Sequence, residues 1–177
     1  DDFAFRTATG FVDVPAGFDF DITIQPGSST DTTNGLFRKS FTLANNSTYA
    51  LIANGIVSGS GYDPMKPFDL YVYDMARMEA GTAGNTDVLV FHGSSDAPAV
   101  DVAEPNAGLK LIDDFDYGSF TDGYLGLATS DYSLQVQNEY GSQAVAQFGA
   151  PLETLGLEDS SLLVVASGFL NPGNNSD

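Results

Sequence analysis

The chain has 177 residues, 42% of them hydrophobic, and carries six Lys and Arg against 24 Asp and Glu. Its formal net charge of -18 repels nucleic-acid phosphates and anionic lipid headgroups, which argues against nucleic acid as a partner. Cysteine is absent and histidine occurs once, so disulfide staples, thiolate nucleophiles and multi-histidine metal centres are excluded.

Of the acids, 19 are Asp and five are Glu, the balance of a chain whose carboxylates sit in turns and at strand ends rather than on helix faces. The first strict alternation places Phe18, Phe20, Ile22 and Ile24 on one side and Asp19, Asp21, Thr23 and Gln25 on the other, a half-buried antiparallel strand whose Phe18 and Phe20 are expected in the core. Leu70 to Tyr73 alternates likewise, with Tyr71 and Tyr73 opposite Leu70 and Val72, and so does Tyr132 to Gln137. Val88 to Phe91 and Leu162 to Val165 are apolar on both faces and read as central strands. Between the strands stand Pro15-Ala16-Gly17, Pro26-Gly27, Asn34-Gly35, Gly59-Ser60-Gly61 and Asn171-Pro172-Gly173, turn chemistry in which Gly takes positive φ and Pro blocks continuation. Helix is limited to a turn near Met75 to Ala80 and another near Pro151 to Leu155. Short strands at this spacing predict an all-β antiparallel sandwich. No stretch reaches about 20 apolar residues, so no membrane insertion is expected.

An internal repeat organises the chain. Ser47 to Ile56 aligns without gaps on Ser160 to Phe169, an offset of 113 (168 minus 55), and Gly10 to Val14 matches Gly123 to Leu127 at the same offset. Ile22 to Gln25 matches Leu134 to Gln137 after one deletion. The expected organisation is a first repeat over 1–80 that lacks its N-terminal strands, a linker over 81–87, and a second repeat over 88–177 that lacks its C-terminal strand. Asp1-Asp2-Phe3 does not open like a signal peptide, so an export signal would lie outside the chain.

The run Val88-Leu89-Val90-Phe91-His92-Gly93-Ser94-Ser95-Asp96-Ala97-Pro98-Ala99-Val100-Asp101-Val102 resembles the signature of the bacterial and archaeal family known as domain of unknown function 4397. There a hydrophobic strand ends in His, a small-residue turn leads to Asp-Ala-Pro, and the next strand opens Val-Asp-Val. Tyr117-Gly118, Gly123-Tyr124 and Ser167-Gly168-Phe169 are similar to the family too, while Ser95 stands where many members have Pro. The resemblance covers the second repeat nearly throughout and the first from about Phe3 to Asp74. It implies two tandem Ig-like or transthyretin-like β-sandwiches in an exported, secreted or cell-surface protein whose other domains are their first partners. It implies no biochemical activity.

Within the signature, His92, Asp96 and Asp101 are the residues able to bind or react. His92 is the one available general base, and a hydrolase would need it bonded to a nucleophile such as Ser94 or Ser95 and oriented by an acid. The competing reading makes His92 a strand cap that ties the following turn, with Asp96 accepting backbone N–H groups before Pro98. A cofactor, if any, is calcium, because hard cations take oxygen ligands and Asp-rich loops supply them. The densest group is Asp113, Asp114 and Asp116, with Asp122 further along, although the spacing is not that of a helix-loop-helix calcium loop.

Three functional expectations follow. The first is a non-enzymatic extracellular module, a structural spacer or adhesion unit of a larger protein. The second is a calcium-dependent carbohydrate-binding module using the Asp group and the Tyr71 and Tyr73 pair against glycans. The third is an assembly subunit completed by strand exchange with a neighbouring copy, since an incomplete sandwich exposes unpaired edges.

Overall fold

The computed structural model describes residues 3–31, 33 and 35–175, with Asn174 described by its backbone alone. Asn34, half of one expected turn, lies outside the described residues. The chain is all-β: eleven strands and a single 3₁₀ turn at Pro172–Asn174 are described, and in place of the two expected helical turns 75–80 is irregular with a β-bridge at Glu79, while Pro151 ends a strand and 152–155 is a turn. Two compact units form, one from 1–59 and 66–76, the other from 60–65 and 77–177.

In the first unit β1 (Asp19–Ile24) and β2 (Phe37–Thr42) pair antiparallel, as do β3 (Ala50–Asn54) and β4 (Asp69–Tyr73). The alternation that predicted β1 leaves its carboxylates on the wet face, where the hydroxyls of Thr42 and Ser40 donate to Asp19 and Asp21 from the residues opposite, and Arg38 pairs with Asp21. Such cross-strand partners hold register more than they add stability. Lys39 Nζ joins the two sheets by donating to Asp69 Oδ1 and to the Leu70 carbonyl, both at 2.8 Å. Leu43, Ile52, Leu70 and Tyr73 are buried, and Phe37 meets Phe68 edge-on with centroids 5.1 Å apart. Two expectations are corrected here. Phe18 precedes the first rung of β1 and stays more than half exposed, and Tyr73 is a core residue rather than part of an exposed tyrosine platform.

The second unit is a sandwich of two sheets. One has the order β10-β9-β6-β7, built from β10 (Ala144–Pro151), β9 (Asp131–Asn138), β6 (Val100–Glu104) and β7 (Leu109–Phe115). The other has the order β11-β5-β8, from β11 (Ser161–Gly168), β5 (Asn85–Ser94) and β8 (Leu125–Ala128), with β11 parallel to β5. Val100, Ile112 and Phe115 form the buried centre, with Val90, Val102, Leu125 and Val136 packed against it. The two-sided apolar run in β5 is central as expected, and Leu89 and Phe91 are fully buried. The similar run in β11 is not, because β11 is the end strand of its sheet.

The segment 81–87, expected as a linker, is built into the second unit. Asp87 lies inside β5 and is buried, accepting from Arg77 Nη1 at 2.7 Å and from the Gly81 N–H at 2.9 Å, while the Arg77 guanidinium lies over the Tyr124 ring. A buried carboxylate needs such donors, and only a folded-back 77–84 segment supplies them. The division therefore falls between 76 and 77, and 60–65 groups with the second unit, where Tyr62 stacks on Phe169.

Two glycines aligned in the expected repeat share a backbone conformation. Gly55 after β3 and Gly168 at the end of β11, 113 residues apart, have φ of 102° and 97°. At Gly55 a Cβ would lie 2.4 Å from the Pro67 carbonyl oxygen, so glycine is required there by both φ and space.

Candidate functional site

The signature turn begins on β5, whose buried ladder carries His92 into the interior at 2% exposure. Its backbone is tied to the segment behind it, the His92 N–H donating to the Ser119 carbonyl and the Gly118 N–H to the His92 carbonyl. Nε2 lies 3.2 Å from the Pro98 carbonyl oxygen, so this nitrogen carries the proton and donates across the turn. Nδ1 is then the acceptor, and it is buried without a hydrogen-bond partner. The ring sits beside Phe115 and Tyr117, at centroid distances of 5.8 and 6.3 Å. Burial holds the imidazole below its usual range, partly offset by the Pro98 carbonyl and by Asp116. The protonated ring nitrogen is thus engaged with a backbone carbonyl.

Asp96 does accept backbone N–H groups, but not those of its own turn. Oδ1 takes the Leu170 N–H at 2.6 Å and Oδ2 the Asn171 N–H at 2.8 Å, with Asn175 Nδ2 at 3.3 Å. It therefore fastens the segment after β11 to the turn after β5.

Asp101 alternates with the core residues Val100 and Val102 and so faces the opposite side of its sheet, yet its side chain is 0% exposed. The covering comes from a β-bulge. Val100 pairs with Phe115 and Val102 with Ile112, leaving Asp113 and Asp114 together opposite Asp101. Asp114 takes φ of 47°, a left-handed conformation that Asp tolerates better than most side chains. Its N–H donates to Asp101 Oδ1 at 2.9 Å, and Lys110 Nζ reaches Asp101 Oδ2 at 2.8 Å and Asp113 Oδ1 at 2.5 Å. The lysine lowers the Asp101 pKa most, burial opposes it, and the Asp114 N–H adds to the lowering. The two carboxylates in turn raise Lys110. Gly141, at the tip of the β9–β10 hairpin, closes the site; a Cβ there would stand 3.2 Å from Asp101 Oδ2.

The acids singled out in sequence are thus partly gathered. Asp113, Asp114, Asp116 and Asp122 all border an open groove of about 750 Å³ between β7 and residues 119–125, together with Phe120 and Tyr124. Ligand-capable oxygens of Asp113 and Asp114 come within 4.8 Å of one another and of Asp101, whereas Asp116 and Asp122 lie outside that group. Its cation is Lys110, which the sequence reading missed, although a basic residue three before Asp113 in a chain with six of them was the available signal. Glu104 was missed too: buried, it closes the β6–β7 turn by accepting the Ala107 N–H at 2.5 Å and Asn106 Nδ2 at 3.0 Å.

No curated protein and no solved structure matches the chain. The family model described as Domain of unknown function (DUF4397) matches residues 1–103, a span that takes in the first unit and, from the second, the strand, turn and strand carrying His92, Asp96 and Asp101. The chain belongs to that family.

Proposed function

We propose that the chain is a non-enzymatic structural module, a spacer or adhesion unit within a larger extracellular or cell-surface protein. The observation that carries this reading is where the polar groups of the signature are used: His92 on the Pro98 carbonyl, Asp96 on the Leu170 and Asn171 amides, Asp101 on the Asp114 amide and Lys110. Residues that would carry catalysis instead lock backbone to backbone. The acidic surface keeps such a module soluble and apart from its copies. The test is hydrolysis of ester, glycoside and peptide panels by the pure protein, alongside attachment to immobilised glycans and matrix proteins. No turnover is expected, and turnover abolished by His92→Gln would sink the reading.

Calcium-dependent glycan binding is the second reading, favoured by the groove that places Asp113, Asp114, Asp116 and Asp122 beside Phe120 and Tyr124. Against it stands the Lys110 ammonium, already bound to Asp101 and Asp113. Calcium titration of chelator-treated protein followed by a glycan array separates the two.

A further inference from the structure

His92 is the one histidine of the chain, and four elements of the second unit surround its ring. β5 carries it inward, and β11, in parallel register alongside, sets Ala166 next to it. β7 contributes the Phe115 ring, and the segment after β7 contributes the Tyr117 ring and the charged group that faces the imidazole, Asp116. The turn after β5 offers the Pro98 carbonyl to Nε2, while the Asp96 carboxylate of that turn is directed to the Leu170 and Asn171 amides. Nδ1 is left buried with no hydrogen-bond partner. In the neutral ring this leaves one acceptor unmet. A proton there would instead place an N–H and a charge in the interior with nothing to receive them, which is far more costly.

The cover over the ring is a short piece of backbone, residues 116–119, which belongs to no strand and turns at Tyr117-Gly118. Two hydrogen bonds hold it to β5, from the Gly118 N–H to the His92 carbonyl at 2.7 Å and from the His92 N–H to the Ser119 carbonyl at 3.0 Å. Beyond it the chain is anchored separately, because Phe120 bridges the fully buried Phe91 and the Thr121 N–H donates to the Val90 carbonyl at 2.9 Å. The cover can therefore part from β5 without dissolving either sheet. Asp116 and Ser119 also line the open groove along β7, so its position shapes that groove. We propose that His92 is an acid-operated latch: with the ring neutral, residues 116–119 lie closed on β5, and with Nδ1 protonated they lift, letting Asp116 and water reach the imidazolium. Burial disfavours the charged ring in the closed state and Asp116 partly offsets it, whereas the opened state returns the ring to ordinary surroundings. Closure is then complete above about pH 6.5, and opening grows as pH falls from there through the lowered value. This goes beyond the structural reading above, which makes no use of the protonation of the ring.

A single histidine makes the test clean, since ring-labelled histidine gives one imidazole to follow by nuclear magnetic resonance. The whole protein is titrated from about pH 7.5 to about pH 5, and backbone hydrogen exchange is read on wild type and on His92→Gln at each pH, so that their ratio cancels the intrinsic pH dependence of exchange. The neutral ring should carry its proton on Nε2 and titrate below 6.5. The exchange ratio at the amides of residues 92 and 118 should rise about fivefold or more from pH 7 to pH 5, while the amides of Thr121 and β9 hold steady. Asp116→Asn should move the midpoint of the ring further down, because Asp116 favours the charged form. The proposal falls if the midpoint lies at or above 6.5, if the neutral ring is protonated on Nδ1, or if the ratio at residues 92 and 118 does not change with pH. A rise shared equally by β9 would also overturn it, since the opening would then be global. Should His92→Gln not fold, Asp116→Asn decides: an unmoved midpoint removes Asp116 as the partner of the charged ring and the latch with it. None of these outcomes bears on enzymatic activity, so they are independent of the hydrolysis test.

Discussion

Asp101 and Asp114 are joined by one hydrogen bond, the Asp114 N–H to Asp101 Oδ1 at 2.9 Å, at the point where two residues of β7 face one of β6. The carboxylate thus stabilises a bulge in which a non-glycine residue holds positive φ, and it does so from a fully buried position with Lys110 as counter-ion. Asp101→Ala leaves the Asp114 amide without its acceptor and takes from Lys110 one of its two carboxylates, and is expected to cost about 2–3 kcal/mol. Asp101→Asn keeps an acceptor for the amide and should cost about 1–2 kcal/mol. Denaturant unfolding of the three proteins checks this, and equal stability of the Ala and Asn variants would refute the assigned role.

The same carboxylate predicts an acid-side pH dependence. Its pKa in the folded chain lies below the ordinary 3.8, chiefly because of Lys110, so the folded state binds that proton less readily than the unfolded state. The stabilisation is therefore complete above about pH 4 and is lost as pH falls through the lowered value. Wild type should lose more stability than Asp101→Asn on going from pH 4.5 to acid melting, as read from melting temperatures across that range.

How much of this was legible in the sequence depends on whether the information was local. Alternation placed β1, β4 and β9, and the two-sided apolar run placed β5, because burial on one or both faces writes itself into successive residues. Position within a sheet is not local: residues 162–165 and 88–91 read alike, yet β5 is central and β11 ends its sheet. Residues 12–14 match residues 125–127 of β8 in the repeat, but of the two only β8 forms a strand, paired with β5. In the site, His92 and Asp96 were seen as turn-tying residues, but the partners of Asp96 stand 74 and 75 residues away. The bulge at Asp113 and Asp114 exists only against β6, so the gathering of Asp101, Asp113 and Lys110 could not be read from spacing.

Lys110 decides whether the acidic group is a metal site. With its ammonium between Asp101 and Asp113, an incoming divalent cation must displace it. Lys110→Met removes the competitor and leaves three carboxylates with oxygens within 4.8 Å. The variant is expected to be less stable than wild type without metal, because Asp101 loses its counter-ion, and to bind calcium at least about tenfold more tightly than wild type, with a rise in melting temperature. Calorimetry on both proteins measures this. Equal calcium affinity in the two would mean that Lys110 does not guard the group.

His92 gives a second and separate pH window. Its pKa is lowered from the ordinary 6.5, first by burial, so the folded state holds the ring neutral where the unfolded chain would protonate it. The stability is complete above about pH 6.5 and is lost as pH falls from there through the lowered value. His92→Gln can still donate to the Pro98 carbonyl but has nothing to protonate, so its melting temperature should be flat between pH 7 and 5 while that of wild type declines. Parallel curves would show that the ring is not what titrates.

Asp96 is expected to control the segment after β11 without controlling the fold. Its two oxygens take the amides of Leu170 and Asn171, and charged acceptors make the stronger backbone bonds. Asp96→Ala removes both acceptors but opens no core cavity, because the side chain is only partly buried, so a loss of about 1–2 kcal/mol is expected. Hydrogen exchange at Leu170 and Asn171 should rise well before exchange in β5 or β9 changes, as for a local opening. Asp96→Asn, with one acceptor oxygen, should restore protection at one of the two amides. If exchange in the Ala variant rises uniformly across the second unit, Asp96 is part of the global fold rather than a local clasp.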